Sequence, residues 1–518
     1  MLEEFKQLSP SEFFYRNKEI AGFSNPSRSL YTSIRELFEN SMDACELNKI
    51  LPEIIIFLRR IRKSERGEIY KLYIQDNGSG IPKKHILNAL GTILYSSKYV
   101  IRQSRGTFGL GGTLALLYGQ ITTGKPVKVV SSTGNSQIHQ YTFKIDIKTN
   151  NPIVYSYKAI RNNRGWRGTI IEFYLEGNYS IASRYIINYL KLTATITPYA
   201  DIIFVDPNGV LYYFPRTISK MPRPPKKVKP HPHGIDLEFL KYLINTFPKT
   251  LTIKEFLTRA FHRVGENTAV KFLQYAKIKP TIKLGAINDD ILDKLYNSLR
   301  SYNKFISPSA DVLSPIGEDI LIEGIYKEFK PEYVDVTSRN PSSYRGHPFI
   351  VEAGMAYGGG IPGQAGDILL FRYANKIPLL FDEGSDVSYK VLDKLKQGSY
   401  KIQSDKPIAI FIHIASTKIP FKSVGKEAIA DVPEIEREIE LALKTLFRRF
   451  LKYRRRVIKK KEAEKRLKVY YQYIRLISEF SSKLADREAA DINKLLERVK
   501  TRYNVKERIS QTISKQRS

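Results

Sequence analysis

Cysteine is nearly absent from this chain of 518 residues, which contains only Cys45. A single thiol excludes an internal disulfide and a zinc site built from cysteines. No apolar run reaches the roughly 18 residues that a membrane-spanning helix needs. The first residues, MLEEFKQLSPSEFF, also lack the basic-then-apolar order of a secretion signal. We therefore expect a cytoplasmic protein that does not enter a membrane.

Acidic residues are scarce relative to basic ones. The chain has 84 Lys and Arg against 52 Asp and Glu, which gives a formal net charge of +32. So large a positive charge favours a polyanionic partner, most simply a nucleic acid. The alternative is a basic composition that serves solubility alone.

The segment RELFENSMDAC, residues 35–45, predicts the middle of a long helix. Asn25 is a good N-cap, Pro26 suits the first helical turn, and the helix must stop before Pro52. At about 100° per residue, one face is apolar and predicts a core contact, with the cysteine as a packed thiol. The apolar residues are Leu37, Phe38, Met42 and Cys45.

The other face of this helix is polar. Glu36, Asn40 and Asp43 fall within one narrow arc, with no Lys or Arg among them. Glu36 and Asn40 are four residues apart, so their side chains can reach one point in space. A carboxylate beside a carboxamide suits a base that activates water next to Mg²⁺. A solvated acidic helix face is the simpler alternative.

Two predicted strands, residues 53–61 and 68–76, follow the helix, and the second runs into DNGSGIP. Asp76 could accept a hydrogen bond from an exocyclic amine such as that of adenine. Gly78 and Gly80 would let the backbone approach a flat ring closely. An ordinary Asp-Gly turn has the same composition.

A glycine-rich loop, residues 106–112, leads into an apolar helix at 113–118. Free N–H groups at such a helix start bind phosphate readily. The string alone is weak evidence, because a dinucleotide fingerprint follows a strand directly, whereas a polar loop precedes this one. The chain has no GxxxxGK[ST] string, which excludes a P-loop nucleotidase.

The order of the patterns predicts a multidomain α/β (α+β) chain. Its segments are an α/β sandwich with a mostly antiparallel sheet (1–215), a Pro/Lys-rich linker (216–234), a helical module (235–305), a mixed segment (306–430) and a long helix (from 431). The long helix carries a basic block at 448–468, which is either a solvated face or a surface for DNA or a partner.

Four of these motifs occur in the order and rough spacing of the GHKL ATPase superfamily, which the chain resembles. They are Glu36-x-x-x-Asn40, Asp76-x-Gly78-x-Gly80, Gly106-x-x-Gly109-x-Gly111 and Gly168-Thr169. The resemblance implies ATP in a Bergerat-type pocket, with Glu36 as the base that activates water and Asn40 as the Mg²⁺ ligand. It also implies that Asp76 meets adenine, that Thr169 supports the adenine side, and that the glycine loop closes over the phosphates as a lid.

Further stretches extend the resemblance from the N-terminus to about residue 430. These stretches are similar to the B subunits of archaeal-type topoisomerase VI, a type IIB DNA topoisomerase. They are SPSEFFYRNKEIAGF, RELFENSMDA, LYSSKYVIRQSRGTFGLGG, KPHPHGID, SPSADVLSPIGEDI, GHPFIVEAG, LFRYANKIPLLFDEGSD and STKIPFKSVGKEAIA. Proteins of this family bind and hydrolyse ATP. Their ATP-driven dimerisation gates duplex capture and strand passage, while a separate A subunit cleaves the DNA.

The resemblance implies a set of ATP-binding residues, one of which, Lys426, is the transducer lysine expected at the γ-phosphate. The set is Asn40, Asp76, Gly78, Gly80, Ser97, Lys98, Gly106, Thr107, Phe108, Gly109, Leu110, Gly111, Gly112, Thr113, Thr169 and Lys426. One departure stands out: the family's loop usually continues Gly-Val-Lys, whereas this chain has Gly111-Gly112-Thr113. The missing cation bears on ATP affinity and on the hydrolysis rate.

The resemblance also implies a domain plan and a set of partners. The expected domains are an ATPase domain with an N-terminal arm (1–225), a helix–two-turns–helix insert (226–306), a transducer ending in a long helix (307–465) and a C-terminal helical tail (466–518). The expected partners are double-stranded DNA, a second copy of the chain on ATP binding, and the A subunit in an A2B2 heterotetramer. The complex would associate with the nucleoid.

Three other classes fit less well. A gyrase-type subunit needs a metal-binding cleavage domain with an Asp-x-Asp pair, which the sequence lacks. A histidine kinase needs a phosphoacceptor histidine on a dimerisation helix ahead of its ATPase domain. A GHKL chaperone or a non-catalytic DNA-binding scaffold remains the alternative. The high positive charge argues against the chaperone, and the presence of Glu36 and Asn40 argues against the scaffold.

Overall fold

The computed structural model describes residues 7–65, 67–106, 109–397, 404–423, 425–488, 491–493, 495 and 497–498. The chain divides into two compact units, and the boundary lies between Leu446 and Phe447. Across the described ranges, no helix combines the length and the apolar character needed to cross a bilayer.

The first unit opens with an α/β domain. Its helices are α1 Pro10–Arg16, α2 Pro26–Glu46, α3 Lys83–Gly91, α4 Gly111–Thr123 and α5 Tyr179–Ile196. Its strands are β1 Glu53–Lys63, β2 Glu68–Asp76, β3 Val127–Thr133, β4 Gln137–Asp146, β5 Asn151–Arg161, β6 Arg167–Gly177, β7 Asp201–Val205 and β8 Leu211–Phe214.

These strands form one sheet in the order β5-β4-β3-β6-β2-β1-β7-β8. The β1–β7 pair is parallel and all other neighbours are antiparallel. This confirms the predicted sandwich with a mostly antiparallel sheet. The sequence did not indicate β5, which contains Pro152 and carries several exposed apolar side chains. A proline is tolerated there because β5 is an edge strand.

Helix α2 forms as its sequence signals predict. The Asn25 side chain accepts a hydrogen bond from the backbone N–H of Arg28 at 2.9 Å, and Pro26 is the first helical residue. The helix ends at its C-cap, Leu47. The apolar face is fully buried against the sheet and the neighbouring helices, with Leu37, Phe38 and Met42 at most 1% exposed. This anchoring holds the polar face of α2 in a fixed orientation.

The N-terminal segment packs onto its own domain. The hydroxyl of Ser9 donates to the Ile147 carbonyl at 2.6 Å. Phe23 is 3% exposed and stacks on Tyr118 with ring centroids 5.3 Å apart. The described part of the N-terminal segment therefore packs on the α/β domain, against α4 and the residue that follows β4.

The next segment is helical, as predicted. It contains α6 Leu237–Thr246, α7 Ile253–Ala260, α8 Glu266–Ala276 and α9 Asp289–Ser301. These helices enclose a core of their own, which includes Phe256, Phe272 and Leu295. A capping box between Thr252 and Glu255 fixes the start of α7.

The mixed segment builds a second sheet. Its elements are α10 Glu318–Phe329, β9 Tyr333–Ser338, β10 Ser342–Tyr344, β11 His347–Tyr357, β12 Ile368–Ala374, β13 Ile377–Pro378, α11 Val387–Gln397 and β14 Ile408–Ser416. The strand order is β10-β11-β14-β12-β13, with β9 also paired to β11. Every residue of β14 is buried, as its apolar sequence predicts.

Helices α5 and α10 join the two sheets. Ile196 and Tyr199 at the end of α5 share a core with Ile320 and Ile325 of α10. A side chain at Gly324 would overlap the Thr195 carbonyl, so the helices cross in direct backbone contact. The second sheet is thereby held against the domain that carries α2.

The final helix, α12, spans Pro433–Ala485. Its first turns are buried through Ile435, Ile439 and Leu443. From Arg448 onward most residues are exposed. The acidic first turn and the basic residues further along agree with the predicted charge order.

Candidate nucleotide-binding site

The glycine loop lies directly on the polar face of α2. A side chain at Gly111 would overlap the Glu36 carboxylate, and a Cβ at Gly112 would lie 2.8 Å from Nδ2 of Asn40. A larger residue at either position would have to displace the side chain of Glu36 or Asn40. The structure therefore brings the predicted base, the predicted Mg²⁺ ligand and the predicted phosphate loop together.

Glu36 is set up to stay ionised. Its Oε1 accepts a hydrogen bond from Nη2 of Arg35 at 2.7 Å, and its side chain is 14% exposed. Burial opposes ionisation, but Arg35 and then Lys426 outweigh it and lower the Glu36 pKa. Neighbouring Glu39 shows the opposite shift, because burial and the charge of Glu36 raise its pKa. The environment thus shifts the pKa values of the two carboxyl groups in opposite directions and favours the ionised form of Glu36.

Asp76 forms a second cluster at the end of β2. Its carboxylate accepts hydrogen bonds from the Gly78 N–H at 2.9 Å, the Ser41 hydroxyl at 3.0 Å and the Thr169 N–H at 3.3 Å. Burial raises the Asp76 pKa to about 6, although these hydrogen bonds oppose the rise. The carboxylate is therefore a buried acceptor near neutrality.

The glycines around Asp76 permit close backbone contacts. Gly80 has a φ of +67°, and a side chain there would overlap the Ser132 carbonyl. A side chain at Gly168, with a φ of +139°, would overlap the backbone of Asp76. The Thr169 hydroxyl lies 3.0 Å from Oγ of Ser131. Thr169 thus contacts Asp76 through its N–H and the adjacent strand through its hydroxyl.

The two clusters lie along one helix. Glu36 and Asn40 contact the glycine loop, whereas Ser41 contacts Asp76. Ser41 lies five positions after Glu36, which is about 7.5 Å along a helix axis. That spacing suits a ligand with a base at one end and phosphates at the other.

Lys98 occupies the polar face of α2 directly. Its Nζ donates to Oδ1 of Asn40 at 2.9 Å and to Oδ2 of Asp43 at 3.0 Å. A Cβ at Gly106 would lie 3.3 Å from the same ammonium group. The neighbouring Ser97 is exposed. Thr107 and Phe108, also predicted to bind ATP, lie outside the described residues.

The start of α4 provides backbone donors. The N-cap position is Leu110, whose side chain makes no capping hydrogen bond, so the first N–H groups have no side-chain cap. Thr113 is 2% exposed, and its hydroxyl donates to the Ala89 carbonyl at 3.5 Å. The threonine that replaces the family's lysine is therefore turned into the domain.

Lys426 reaches the same region from the second sheet. Its Nζ donates to the Arg105 carbonyl at 3.2 Å, just before the glycine loop. The adjacent Glu427 forms an ion pair with Arg28 of α2, and the Arg28 guanidinium lies 4.1 Å from the ring centroid of Phe381. The predicted transducer lysine is therefore close to the lid.

Sequence reasoning missed the cations that neutralise α2. Arg105 Nη1 bonds Oδ1 of Asp43 at 2.9 Å, so Asp43 accepts from both Arg105 and Lys98. Burial disfavours the charge on Asp43, but these two cations lower its pKa. An acidic helix face buried without local counter-charges requires cations from elsewhere, and that was the available signal.

Cys45 is a packed thiol, as predicted. It is fully buried, and its Sγ lies 3.3 Å from Oδ1 of Asn77. Burial raises its pKa, which disfavours the reactive thiolate.

Two family descriptions match this chain. Residues 28–163 match the "Histidine kinase-, DNA gyrase B-, and HSP90-like ATPase" family. Residues 308–466 match the "Topoisomerase VI B subunit, transducer" family. The first range contains Glu36, Asn40, Asp76 and the glycine loop, and the second contains Lys426.

Whole-length relatives agree with these matches. The type 2 DNA topoisomerase 6 B subunit of Saccharolobus islandicus is 46% identical over 478 residues, which cover 92% of this chain and 90% of the relative. The protein of the same name from Metallosphaera sedula is 42% identical over 518 residues, with 98% and 97% covered. Among solved structures, the 43K ATPase domain of Thermus thermophilus gyrase B has a TM-score of 0.40 at 15% identity, covering 92% of this chain and 98% of its own.

The two relatives exceed 40% identity over nearly the whole chain, and the two family matches fall on the nucleotide site and on the second sheet. The chain therefore belongs to the family of type 2 DNA topoisomerase 6 B subunits, the ATP-dependent components of a type II topoisomerase, and carries a GHKL-type ATPase domain.

Proposed function

We propose that Glu36 is the base that activates water for ATP hydrolysis in this protein. The observation that carries this role is the position of an ionised, largely buried carboxylate against the glycine loop. Lys426 is near enough to help lower the Glu36 pKa. A general base must hold its carboxylate next to the reacting phosphate and lie within reach of one water molecule.

Adenine is proposed to bind at the Asp76 end of the site. An exocyclic amine there donates to the Asp76 carboxylate, with Gly78, Gly80 and Thr169 shaping the shelf around the ring. The support is a buried acceptor with a raised pKa and the glycine positions that keep the surrounding backbone close. The glycine loop and the start of α4 then receive the phosphates.

Asn40 is proposed as the protein ligand for Mg²⁺. Mg²⁺ takes most of its ligands from substrate phosphates and water, so one carboxamide oxygen fits. Among the described residues, no group of three or more Asp, Glu, His or Cys could hold a metal by itself. When bound, the ion would neutralise phosphate charge. Oδ1 of Asn40 would hold it after Lys98 has left that oxygen.

Lys98 and Ser97 are proposed to contact the nucleotide from the lid. Lys98 bonds Asn40 and Asp43, so it must exchange these partners for phosphate. Thr113 contributes through its backbone N–H at the start of α4, since its hydroxyl faces Ala89. Gly106, Gly109, Leu110, Gly111 and Gly112, with Thr107 and Phe108 outside the described residues, would complete the lid.

Lys426 is proposed to carry the signal to the second sheet by contacting the γ-phosphate. ATP would then touch α2 and the lid on one side and the transducer on the other. A ligand that contacts both parts in only one arrangement shifts the equilibrium toward it. We propose the domain limits 1–225, 226–306, 307–465 and 466–518 for the parts that move.

At the level of the assembly, we propose that two ATP-bound copies close around a DNA duplex and that hydrolysis resets the gate. The relatives are named as B subunits, which supports a companion A subunit that cleaves DNA, in an A2B2 heterotetramer. The charge of +32 supports duplex DNA as the other partner and a place at the nucleoid.

Light scattering tests this function directly. The solution mass is measured with Mg²⁺ and a non-hydrolysable ATP analogue, with ADP and without nucleotide. A monomer that becomes a dimer only with the ATP analogue supports the gate. An unchanged mass at saturating analogue contradicts it. The variant Lys426→Ala should lose the ATP-driven closure, so its mass should remain that of the monomer with the analogue.

A further inference from the structure

A chain of buried charged groups joins the lid to the second sheet, and none of the roles proposed above uses all of it. At its far end is the two-residue turn between β12 and β13, Asn375 and Lys376. The groups are two carboxylates and three cations: Asp43, Glu46, Lys98, Arg105 and Lys376.

Glu46, in the last turn of α2, is the centre of this chain. Its Oε1 accepts from Nη2 of Arg105 at 2.6 Å and from the Tyr199 hydroxyl at 2.8 Å. Its Oε2 accepts from Nζ of Lys376 at 3.2 Å. The side chains of Arg105 and Lys376 are each 4% exposed. Burial disfavours the Glu46 charge, yet Arg105 and Lys376 lower its pKa to about 2.

The turn that supplies Lys376 has an unusual sequence. Ala374 pairs with Ile377, so Asn375 and Lys376 form the whole loop of a hairpin. Both have positive φ, +49° and +66°. A two-residue hairpin of this kind strongly prefers glycine at its second position. Strain of this type persists where function requires the side chain, and here the lysine ammonium reaches Glu46.

The turn is fixed to the second sheet. The backbone N–H of Lys376 donates to Nε2 of His413 at 3.1 Å, and Nδ1 of His413 lies 2.8 Å from Oε2 of Glu352. Glu352 also accepts from the N–H groups of Ile316 and Gly317, each at 2.7 Å. The Lys376 ammonium therefore follows any movement of β11 and β14.

The same turn touches the base of the lid. Nδ2 of Asn375 donates to the Ser104 carbonyl at 3.2 Å. Gln103 and Ser314 exchange two hydrogen bonds, at 2.6 and 3.0 Å. Arg105 follows directly in sequence, and Lys426 holds its carbonyl. The segment before the glycine loop is thus held by the second sheet at several points.

Lys376 and Lys98 are connected through shared hydrogen-bond partners, so a substitution or displacement of Lys376 affects the contacts of Lys98. Glu46 holds Lys376 and Arg105, and Asp43 holds Arg105 and Lys98. Removing one member of a buried ion pair leaves the other uncompensated, so its neighbours must rearrange. A displacement of the turn therefore alters where Arg105 and the lid lie.

We propose that Lys376 is a positioning residue for the nucleotide lid, which it holds against α2 through Glu46 and Arg105, so that the lid and the second sheet move together. This contact is separate from Lys426. It requires only that the pocket binds ATP, and it does not depend on the roles proposed for Glu36, Asn40 or Lys426.

Hydrogen–deuterium exchange on the full chain, with and without a saturating Mg²⁺–ATP analogue, tests the proposal. We expect the analogue to change exchange in residues 98–106 and also in 371–381, which contain the turn. Lys376→Met should largely lose the change at 371–381 and bind the analogue about tenfold more weakly. Lys376→Arg retains the charge and should restore both.

Lys220→Met is the matched control, since Lys220 pairs with Asp319 at 2.8 Å but both side chains are more than half exposed. It should leave affinity and exchange unchanged. If Lys376→Met misfolds, the pair Glu46→Gln with Lys376→Met removes both buried charges together and is measured in the same way. The proposal is overturned if either folded variant keeps the nucleotide-induced change at 371–381, or binds the analogue as tightly as Lys220→Met.

Discussion

The two longest helices, α2 and α12, use charge in opposite ways. In α2 the carboxylates Asp43 and Glu46 are buried, and each has a specific cation within 3.2 Å. In α12 the basic block 448–468 is mostly exposed. A buried ion pair has one defined geometry, and breaking it costs considerable folding free energy. An exposed block of basic residues attracts any polyanion through its electrostatic potential. Burial therefore distinguishes the two sets of charges: those of α2 hold specific partners in place, whereas those of α12 can attract a polyanion without a fixed partner.

The largest difference between the helices should appear in catalysis. Glu36→Gln preserves the shape of the side chain but removes the proposed base, so ATP hydrolysis should fall by about 10² to 10⁴-fold. Binding of the ATP analogue should persist. Steady-state phosphate release and equilibrium binding measure the two effects. Glu462→Gln, the same change at an exposed position of α12, is the control and should leave both unchanged. Equal hydrolysis by Glu36→Gln would remove the base assignment.

The second difference between α2 and α12 should appear in the stability lost when a leucine in each helix is truncated. Leu37→Ala creates a cavity beneath the polar face of α2, where the side chain is 1% exposed. We expect a loss of about 2–5 kcal/mol in the free energy of unfolding. Leu476→Ala in α12, where the side chain is 49% exposed, should cost no more than about 0.5 kcal/mol. Denaturant titrations compare the two, and similar costs would contradict the contrast in packing.

A third difference concerns pH. The Asp76 pKa is about 6, well above that of a free Asp, so the carboxylate is lost as the pH falls through 6. The proposed adenine amine would donate to the ionised form, so ATP affinity should rise with pH up to about 6 and then level off. Asp76→Asn should bind ATP about 10- to 100-fold more weakly, as expected for a hydrogen bond to a charged group. Calorimetry from pH 5 to 8 measures both proteins.

The Asn variant also serves as the control, because it shares the titration of ATP itself but lacks the carboxylate. Its profile should lack the extra step near pH 6. Parallel profiles for the two proteins would show that Asp76 does not meet the base.

The smallest expected effect concerns α12, whose exposed lysines should each contribute a little to DNA binding. Changing Lys459, Lys460 and Lys461 to Gln should reduce the salt dependence of DNA binding. The slope of log affinity against log salt should fall by about 0.9 for each residue that neutralises a phosphate. ATP hydrolysis without DNA should not change. Fluorescence anisotropy at several salt concentrations measures the slope, and an unchanged slope would assign the block to a protein partner or to solvent.

Local signals were enough to predict most elements of this fold. Helix α2 follows from its cap, its proline and its apolar period, and β14 follows from a long apolar run. The edge strand β5 could not be predicted in the same way, because Pro152 and exposed apolar residues hide its alternation. Strand β5 forms by pairing with β4, and that pairing leaves no alternating pattern in the sequence of β5 itself.

In the candidate site too, residues in short local motifs could be predicted, whereas contacts between distant residues could not. Glu36, Asn40 and Asp76 could be selected because each belongs to a short motif. The bond between Glu46 and Lys376 spans 330 positions in the sequence, and neither residue belongs to the four GHKL motifs. The cations that pair with Asp43 and Glu46 come from a loop and from another sheet, so the sequence indicates only that some counter-charge must exist.

The single cysteine gives this protein a practical advantage. Cys45 is fully buried, and burial raises its pKa, so its thiol is a poor target for maleimides and other thiol reagents. Cysteines introduced at exposed positions such as Tyr155 or Tyr242 can therefore be labelled without first removing the native one. Paired fluorophores or spin labels on the otherwise unaltered chain could then follow the opening and closing of the proposed gate in real time.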